Sequence, residues 1–213
     1  MNTGFFERNV GERSYVLYIP RGVKTPMPAI LALHGAGESG SDNLKQVIQG
    51  LGSAVQWNRD RWPFAILFPQ KPVVRNLWPT QVEYLNSCLT DAEANYELDP
   101  HRRYLTGLSQ GGNGTFRLVK KLSWQFAAAA PICGWSENVE ETAKDFADIP
   151  ISIFHGGADN VVPPKGSTDA HEAILKAGGT SKLTIYEGVD HNSWDKAYRE
   201  SDLPEWFLSH SFR

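Results

Sequence analysis

Cysteine is scarce in this chain of 213 residues: there are two, Cys88 and Cys133, with no metal-type spacing between them. Both are expected to be free, buried thiols, the usual condition of unpaired cysteine. Charge of one sign is also lacking, since the formal net charge is −3. That balance gives no electrostatic footprint for nucleic acid or for an anionic membrane surface. No apolar run approaches the length of a membrane span. The first ten residues, Met1 to Val10, lack the basic region, apolar run and cleavage site of a signal peptide, so a cytoplasmic location is the expectation. Repeats, low-complexity tracts and linkers are missing as well.

What is present fits one domain, residues 1–213, with a large core. The hydrophobic fraction is 41% and the charged fraction 21%, ordinary for a globular protein. Seven tryptophans is a high count, and some of them are expected to line a pocket. Short apolar runs read as strands over Tyr15 to Ile19, Ala29 to Leu33, Phe64 to Phe68, Arg103 to Thr106, Phe126 to Ile132, Ile151 to Phe154 and Lys182 to Tyr186. Helical spacing predicts helices over Asp42 to Trp57, Val82 to Tyr96, Gly112 to Lys121, Val139 to Phe146, Thr168 to Lys176, Trp194 to Tyr198 and Pro204 to His210. Strands that are apolar throughout, alternating with helices, predict an α/β fold with a mostly parallel sheet covered on both sides. In such sheets ligands bind outside the carboxyl ends of the strands.

Three stretches leave strands at that edge with polar, chemically capable residues: His34-Gly35-Ala36-Gly37, Gly107-Leu108-Ser109-Gln110-Gly111, and His155-Gly156-Gly157-Ala158-Asp159. The second has the Gly-x-Ser-x-Gly form of a nucleophile elbow, in which a strand turns sharply into a helix with serine at the apex. A serine hydroxyl is a weak nucleophile; it needs a base, and the base needs an orienting carboxylate. The chain order expected for this fold is serine, acid, histidine. Asp159, past a strand end, and His191, in the loop after the last strand, fit that order with Ser109. Asp190 is a poor orienter because neighbouring side chains in an extended loop diverge. Asp195 is expected at a helix start, His155 as a strand-end residue held by local hydrogen bonds, and His101, His171 and His210 at the surface. An oxyanion would be held by the Gln110 N–H and, from the loop after the Ala29 to Leu33 strand, by the Ala36 N–H.

Taken together, Leu33-His34-Gly35-Ala36-Gly37-Glu38-Ser39-Gly40-Ser41-Asp42-Asn43, Gly107-Leu108-Ser109-Gln110-Gly111-Gly112 and His191-Asn192-Ser193-Trp194-Asp195 resemble the α/β-hydrolases, and within them the serine esterases labelled predicted peptidases. These are related to feruloyl and acetyl-xylan esterases and to polyhydroxybutyrate depolymerases. The resemblance runs from about Arg13 to Leu208. Family members often carry arginine where this chain has Ser39. The resemblance implies Ser109 as nucleophile, His191 as base and Asp159 as orienting acid, with no cofactor and no metal ion. A carboxylesterase is therefore expected, acting on a small-molecule or polymer-linked ester; peptidase, amidase or thioesterase chemistry would use the same parts. A non-catalytic binding protein on this fold would not need to keep all of these residues. No insertion is long enough for a separate lid domain, so an open site is expected. Trp78 and Trp135 are expected as walls of the pocket, and Trp194 behind His191.

Overall fold

The computed structural model describes residues 2–212. In chain order the elements are β1 (Gly4–Val10), β2 (Arg13–Ile19), β3 (Met27–Leu33), α1 (Lys45–Ile48), α2 (Gly50–Trp57), β4 (Ala65–Pro69), α3 (Val82–Asn95), β5 (Leu98–Leu108), α4 (Gln110–Leu118), β6 (Ala128–Ile132), α5 (Val139–Asp145), β7 (Ile151–Gly156), α6 (Lys165–Lys176), β8 (Ser181–Tyr186), α7 (Trp194–Arg199) and α8 (Leu203–Leu208). The eight strands form one sheet in the order β1-β2-β4-β3-β5-β6-β7-β8. The β1–β2 and β2–β4 pairs are antiparallel, and β4 through β8 pair in parallel.

Alternation along the strands sends side chains into two cores. Tyr15, Leu17, Ala29, Leu31 and Leu67 pack with Leu85 and Leu89 of α3, Phe116 of α4 and Ile174 of α6. Val16, Ile30, Ile66 and Phe68 pack with Leu51 and Val55 of α2, Tyr198 of α7 and Phe207 of α8. Because both faces are covered, the central strands carry no polar face, which is why they read as unbroken apolar runs. The strand order reverses at β3, which has β4 on one side and β5 on the other. Loops leaving β3 and β5 therefore diverge around a crevice at the carboxyl edge, where a ligand can enter.

Two local expectations change. The sequence reading begins its strands at Tyr15, but Gly4–Val10 is already a strand, paired residue for residue with β2. Its half-buried, mixed pattern carries little apolar signal, and pairing with β2 supplies the order. The single helix expected over Asp42 to Trp57 is two, α1 and α2. Gly50 stands at φ 51°, which breaks the helical run. As a result Val47 and Leu51 are buried, whereas Leu44 and Ile48 are 56% and 54% exposed. Among the described residues, no helix is long and apolar enough to cross a membrane.

The start of α4 lies hard against the end of β3. A Cβ added at Gly111 would stand 2.0 Å from Leu33 O and 2.9 Å from His34 O, both main-chain atoms that cannot swing aside. Gly111→Ala should therefore force β3 and α4 apart. Overpacking of this kind costs about 3 kcal/mol, and a thermal melt should show a fall of about 6–12 °C for a chain of this length. An unchanged melting temperature would contradict the packing described.

Candidate active site

Ser109 caps α4 at φ 54° and ψ −115°, a conformation that an L-residue adopts only under constraint from its surroundings. That constraint is visible. The Ser109 N–H donates to Ile132 O of β6 at 2.9 Å, and its carbonyl accepts from Asn113 N at 3.0 Å as the helix begins. The turn lifts the hydroxyl above the sheet edge, 9% exposed for the residue as a whole.

Ser109, His191 and Asp159 come together in one hydrogen-bonded line. His191 Nε2 lies 3.0 Å from Ser109 Oγ, and His191 Nδ1 lies 2.7 Å from Asp159 Oδ2. The loops after β7 and β8 are sewn to each other to achieve this. Gly157 N donates to Tyr186 O, and Ala158 N to Val189 O, each at 2.9 Å. The approach is so close that a Cβ at Gly156 would stand 2.1 Å from Asp190 O. The other Asp159 oxygen, Oδ1, accepts from the Val161 and Val162 N–H groups at 2.9 Å each. Burial opposes ionisation of Asp159, but the His191 bond and these two N–H donors outweigh it and hold the carboxyl below its ordinary range. Asp190 is turned to the Asn192 N–H, and Asp195 sits in the first turn of α7. Trp194 meets His191 edge-on with ring centroids 5.5 Å apart, the backing position expected of it.

His155 is held locally, as the sequence suggests, with Nδ1 2.7 Å from Ser167 Oγ and Nε2 2.9 Å from Val162 O. It does one thing more: Nε2 also lies 3.2 Å from Asp159 Oδ2. Two acceptors facing Nε2 place a proton there, so His155 aims an N–H at the acid. Burial lowers its pKa and keeps the ring neutral. Cys133, fully buried at φ 40°, lies beneath the same residues. Its Sγ, one Asp159 oxygen and one His191 nitrogen fall within 4.8 Å of one another, the one such grouping of possible metal ligands among the described residues. Burial pushes the thiol up to about 12, so it is protonated, and the Asp159–His191 pair already shares a proton. Within the grouping, Asp159 and His191 are joined by their 2.7 Å hydrogen bond.

Opposite Ser109 is the loop after β3. A Cβ at Gly35 would stand 3.4 Å from Ser109 Cβ, so the loop approaches the Ser109 side chain at Gly35. Gln110 opens α4, where the first N–H groups have no helical acceptor. His34, buried at the foot of the loop, has Nδ1 2.6 Å from Gly35 O, while Nε2 accepts from Lys71 N at 3.1 Å. Those partners specify the Nδ1–H tautomer, and burial pushes the ring's pKa down to about 4, so it is neutral.

Trp78 is a correction. It was expected as a pocket wall, but it is fully buried below the loop, with Nε1 donating to His34 O at 2.9 Å and its ring edge-on to His34. Pro72 and Pro79 in the same stretch suggest a surface loop; a large indole gains more from complete burial once an internal carbonyl receives its N–H. Trp62 and Trp124 are likewise buried in the core. Trp135 is half-buried in the loop after β6, with its carbonyl bonded by Asn113 and its indole N–H by Glu137. Cys88 and Cys133 are free and buried, as expected. Sequence reasoning missed His155, Cys133, Gln70 and Lys71 as neighbours of the site, because nothing in their local sequence signals the contacts they make.

Comparison with known proteins agrees with this architecture. A bifunctional acetylxylan esterase/xylanase from Neocallimastix patriciarum is 26% identical over 162 residues, which is 73% of this chain and 22% of that protein. A poly(3-hydroxyalkanoate) depolymerase C from Paucimonas lemoignei is 24% identical over 87% of this chain and 51% of its own length. Among solved structures, a thermostable esterase superposes with a TM-score of 0.84 at 30% identity, covering 97% of this chain and 62% of that one. The chain thus spans between about a fifth and two thirds of the length of these relatives. The α/β-hydrolase fold expected from the sequence is the one observed. A family pattern described as phospholipase/carboxylesterase matches residues 76–201, from the loop before α3 through the elbow and the paired β7 and β8 loops to the end of α7. Because that match takes in more than half of the chain and every loop that brings Ser109, Asp159 and His191 into line, the chain belongs to the phospholipase/carboxylesterase family.

Proposed function

We propose that this chain is a serine carboxylesterase that hydrolyses carboxylic esters through an acyl-enzyme on Ser109. The observation that carries the reading is the line Ser109 Oγ–His191–Asp159, with separations of 3.0 and 2.7 Å. His191 Nε2 takes the hydroxyl proton as Oγ attacks the ester carbonyl, and returns it to the departing alcohol. Asp159 holds His191 with Nδ1 protonated and offsets the charge of the imidazolium that forms. The N–H groups of Gln110 and Ala36 receive the oxyanion, one from each side of the crevice. Water then enters by the same route, with His191 as base, and releases the acid. No step calls for a cofactor.

A small-molecule ester or one attached to a polymer fits an edge with no inserted layer, since between β6 and β8 the chain carries only α5, β7 and α6. Trp135 is the proposed apolar wall, being half-buried beside the elbow helix; Trp78 has no part in the pocket. A panel of p-nitrophenyl esters of increasing acyl length, run beside feruloyl and acetyl-sugar esters, a thioester and an anilide, defines the substrate. Carboxylic esters should turn over fastest; preference for the anilide would replace the esterase reading.

Ser109→Ala should fold like the parent and lose nearly all hydrolysis. A fluorophosphonate should label the parent at the elbow peptide and leave the variant unlabelled; persistent labelling at that peptide would remove Ser109 from its role. The two neighbouring carboxylates separate in the same assay. Asp159→Asn should lower kcat on the order of ~10⁴, as a wrongly tautomerised histidine does in a serine protease. Asp190→Asn, whose parent side chain serves only the Asn192 N–H, should change kcat less than roughly threefold, in the range of ordinary surface substitutions. Equal losses would reverse the assignment.

A further inference from the structure

Lys71 is the one fully buried lysine among the described residues, and both its side chain and its main chain bond the loop that carries Ala36. Its Nζ donates to Ser39 Oγ at 2.8 Å and to the carbonyls of Val74 and Val73 at 3.1 and 3.2 Å. Three ammonium protons thus meet three acceptors. The main chain of the same residue binds the loop twice more. Lys71 N donates to His34 Nε2 at 3.1 Å, and Lys71 O accepts from Gly40 N at 3.0 Å. Its neighbour Gln70 adds bonds from Nε2 to Glu38 O at 2.9 Å and to Asp42 Oδ1 at 3.0 Å, and accepts from Asn43 N at 2.9 Å. These bonds grip the loop at His34 on one side of Ala36 and at Glu38, Ser39 and Gly40 on the other. Gly35, Ala36 and Gly37 lie between the two grips, with Gly35 against the Ser109 side chain.

A buried ammonium is costly, and a core leucine or methionine would fill the same volume without that cost. Burial pushes Lys71 down to about 8, with the Glu38 carboxyl opposing that shift. The Glu38 carboxyl is itself raised by burial and lies against Gly35. The main-chain bonds to His34 and Gly40 would survive a methionine at position 71. The ammonium is therefore what ties Ser39 to the Val73–Val74 turn, and so fixes the far side of the Ala36 loop.

We propose that Lys71 is a positioning residue for the oxyanion-binding loop, bracketing residues 34–40 from the end of β4 so that the Ala36 N–H stays aimed at the reacting carbonyl. This rests on the esterase reading and on Ala36 as an oxyanion donor. Lys71 touches no substrate; it acts through the loop.

Lys71→Met and Ser39→Ala test the idea with two readouts. In steady-state kinetics on a soluble p-nitrophenyl ester, Lys71→Met should lower kcat about 10²-fold, the scale of one misaimed oxyanion donor. KM should stay within about twofold, since the loop is asked to bind the transition state rather than the ground state. Ser39→Ala, which removes the acceptor and leaves the ammonium, should lower kcat about 3- to 10-fold, in line with loss of one charge-assisted hydrogen bond. Hydrogen exchange by mass spectrometry should show faster exchange at residues 35–40 in both variants, with β3 and β5 unchanged. Parental kcat and parental exchange at 35–40 in a folded Lys71→Met would overturn the proposal, as would exchange that quickens evenly across the sheet. Should Lys71→Met not fold, Ser39→Ala decides by the same two measures. Should the parent hydrolyse no ester in the panel, the esterase reading fails, and the exchange data still decide whether Lys71 holds the loop.

Discussion

The site depends on one close backbone approach. For Ser109 to stand at φ 54° above the sheet edge, α4 must begin directly against the last residues of β3. That leaves no room for a Cβ at Gly111, and it brings the β3 loop within contact of the Ser109 side chain. The strain at the apex is held by bonds on both sides, from Ser109 N to β6 and from Ser109 O into the helix. Loosening that junction would move the hydroxyl, the first N–H of α4 and the Ala36 loop relative to one another. The geometry at the crevice therefore belongs to the sheet as a whole, since β3, β5 and β6 are its three central contributors.

A second constraint is electrostatic. Asp159 is buried, yet it is supplied with N–H donors on both oxygens: Val161 and Val162 on one, His191 and His155 on the other. A carboxylate so surrounded stays ionised and fixed in direction, and these are the two properties a histidine-orienting acid needs. The buried polar groups opposite follow a different rule. His34 is neutral and wedged between a carbonyl and an N–H, and the Lys71 ammonium has one acceptor for each proton. Charge is placed where it can be matched, and elsewhere burial keeps the rings neutral.

Much of this was legible in the residues themselves because the signals are local. The runs Ala29 to Leu33 and Ile151 to Phe154 read as strands because a strand buried on both faces has no polar alternation to disguise it. Ser109 with its flanking glycines fixes a strand–turn–helix, since few other residue types survive that turn. Asp159 and His191 follow from order along the chain, because successive parallel strands deliver their loops to one edge. The helix from Asp42 to Trp57 was less legible, because one glycine at positive φ divides an otherwise continuous helical pattern. The strand Gly4–Val10 was hidden because its order comes from pairing rather than from its own apolar content.

By itself, then, the sequence determined the layered fold, the elbow and the identity of the three residues that meet there, since each follows from residue type and spacing. The tertiary structure alone decided what lies behind them. Trp78 is a core residue under His34 rather than a wall, His155 reaches Asp159, Cys133 sits below the line, and Lys71 brackets the Ala36 loop. Trp78 is 44 positions from His34, and Lys71 is 32 positions from Ser39. Contacts at such separations are set by which strands become neighbours and how deeply each side chain is packed, and no local pattern encodes either.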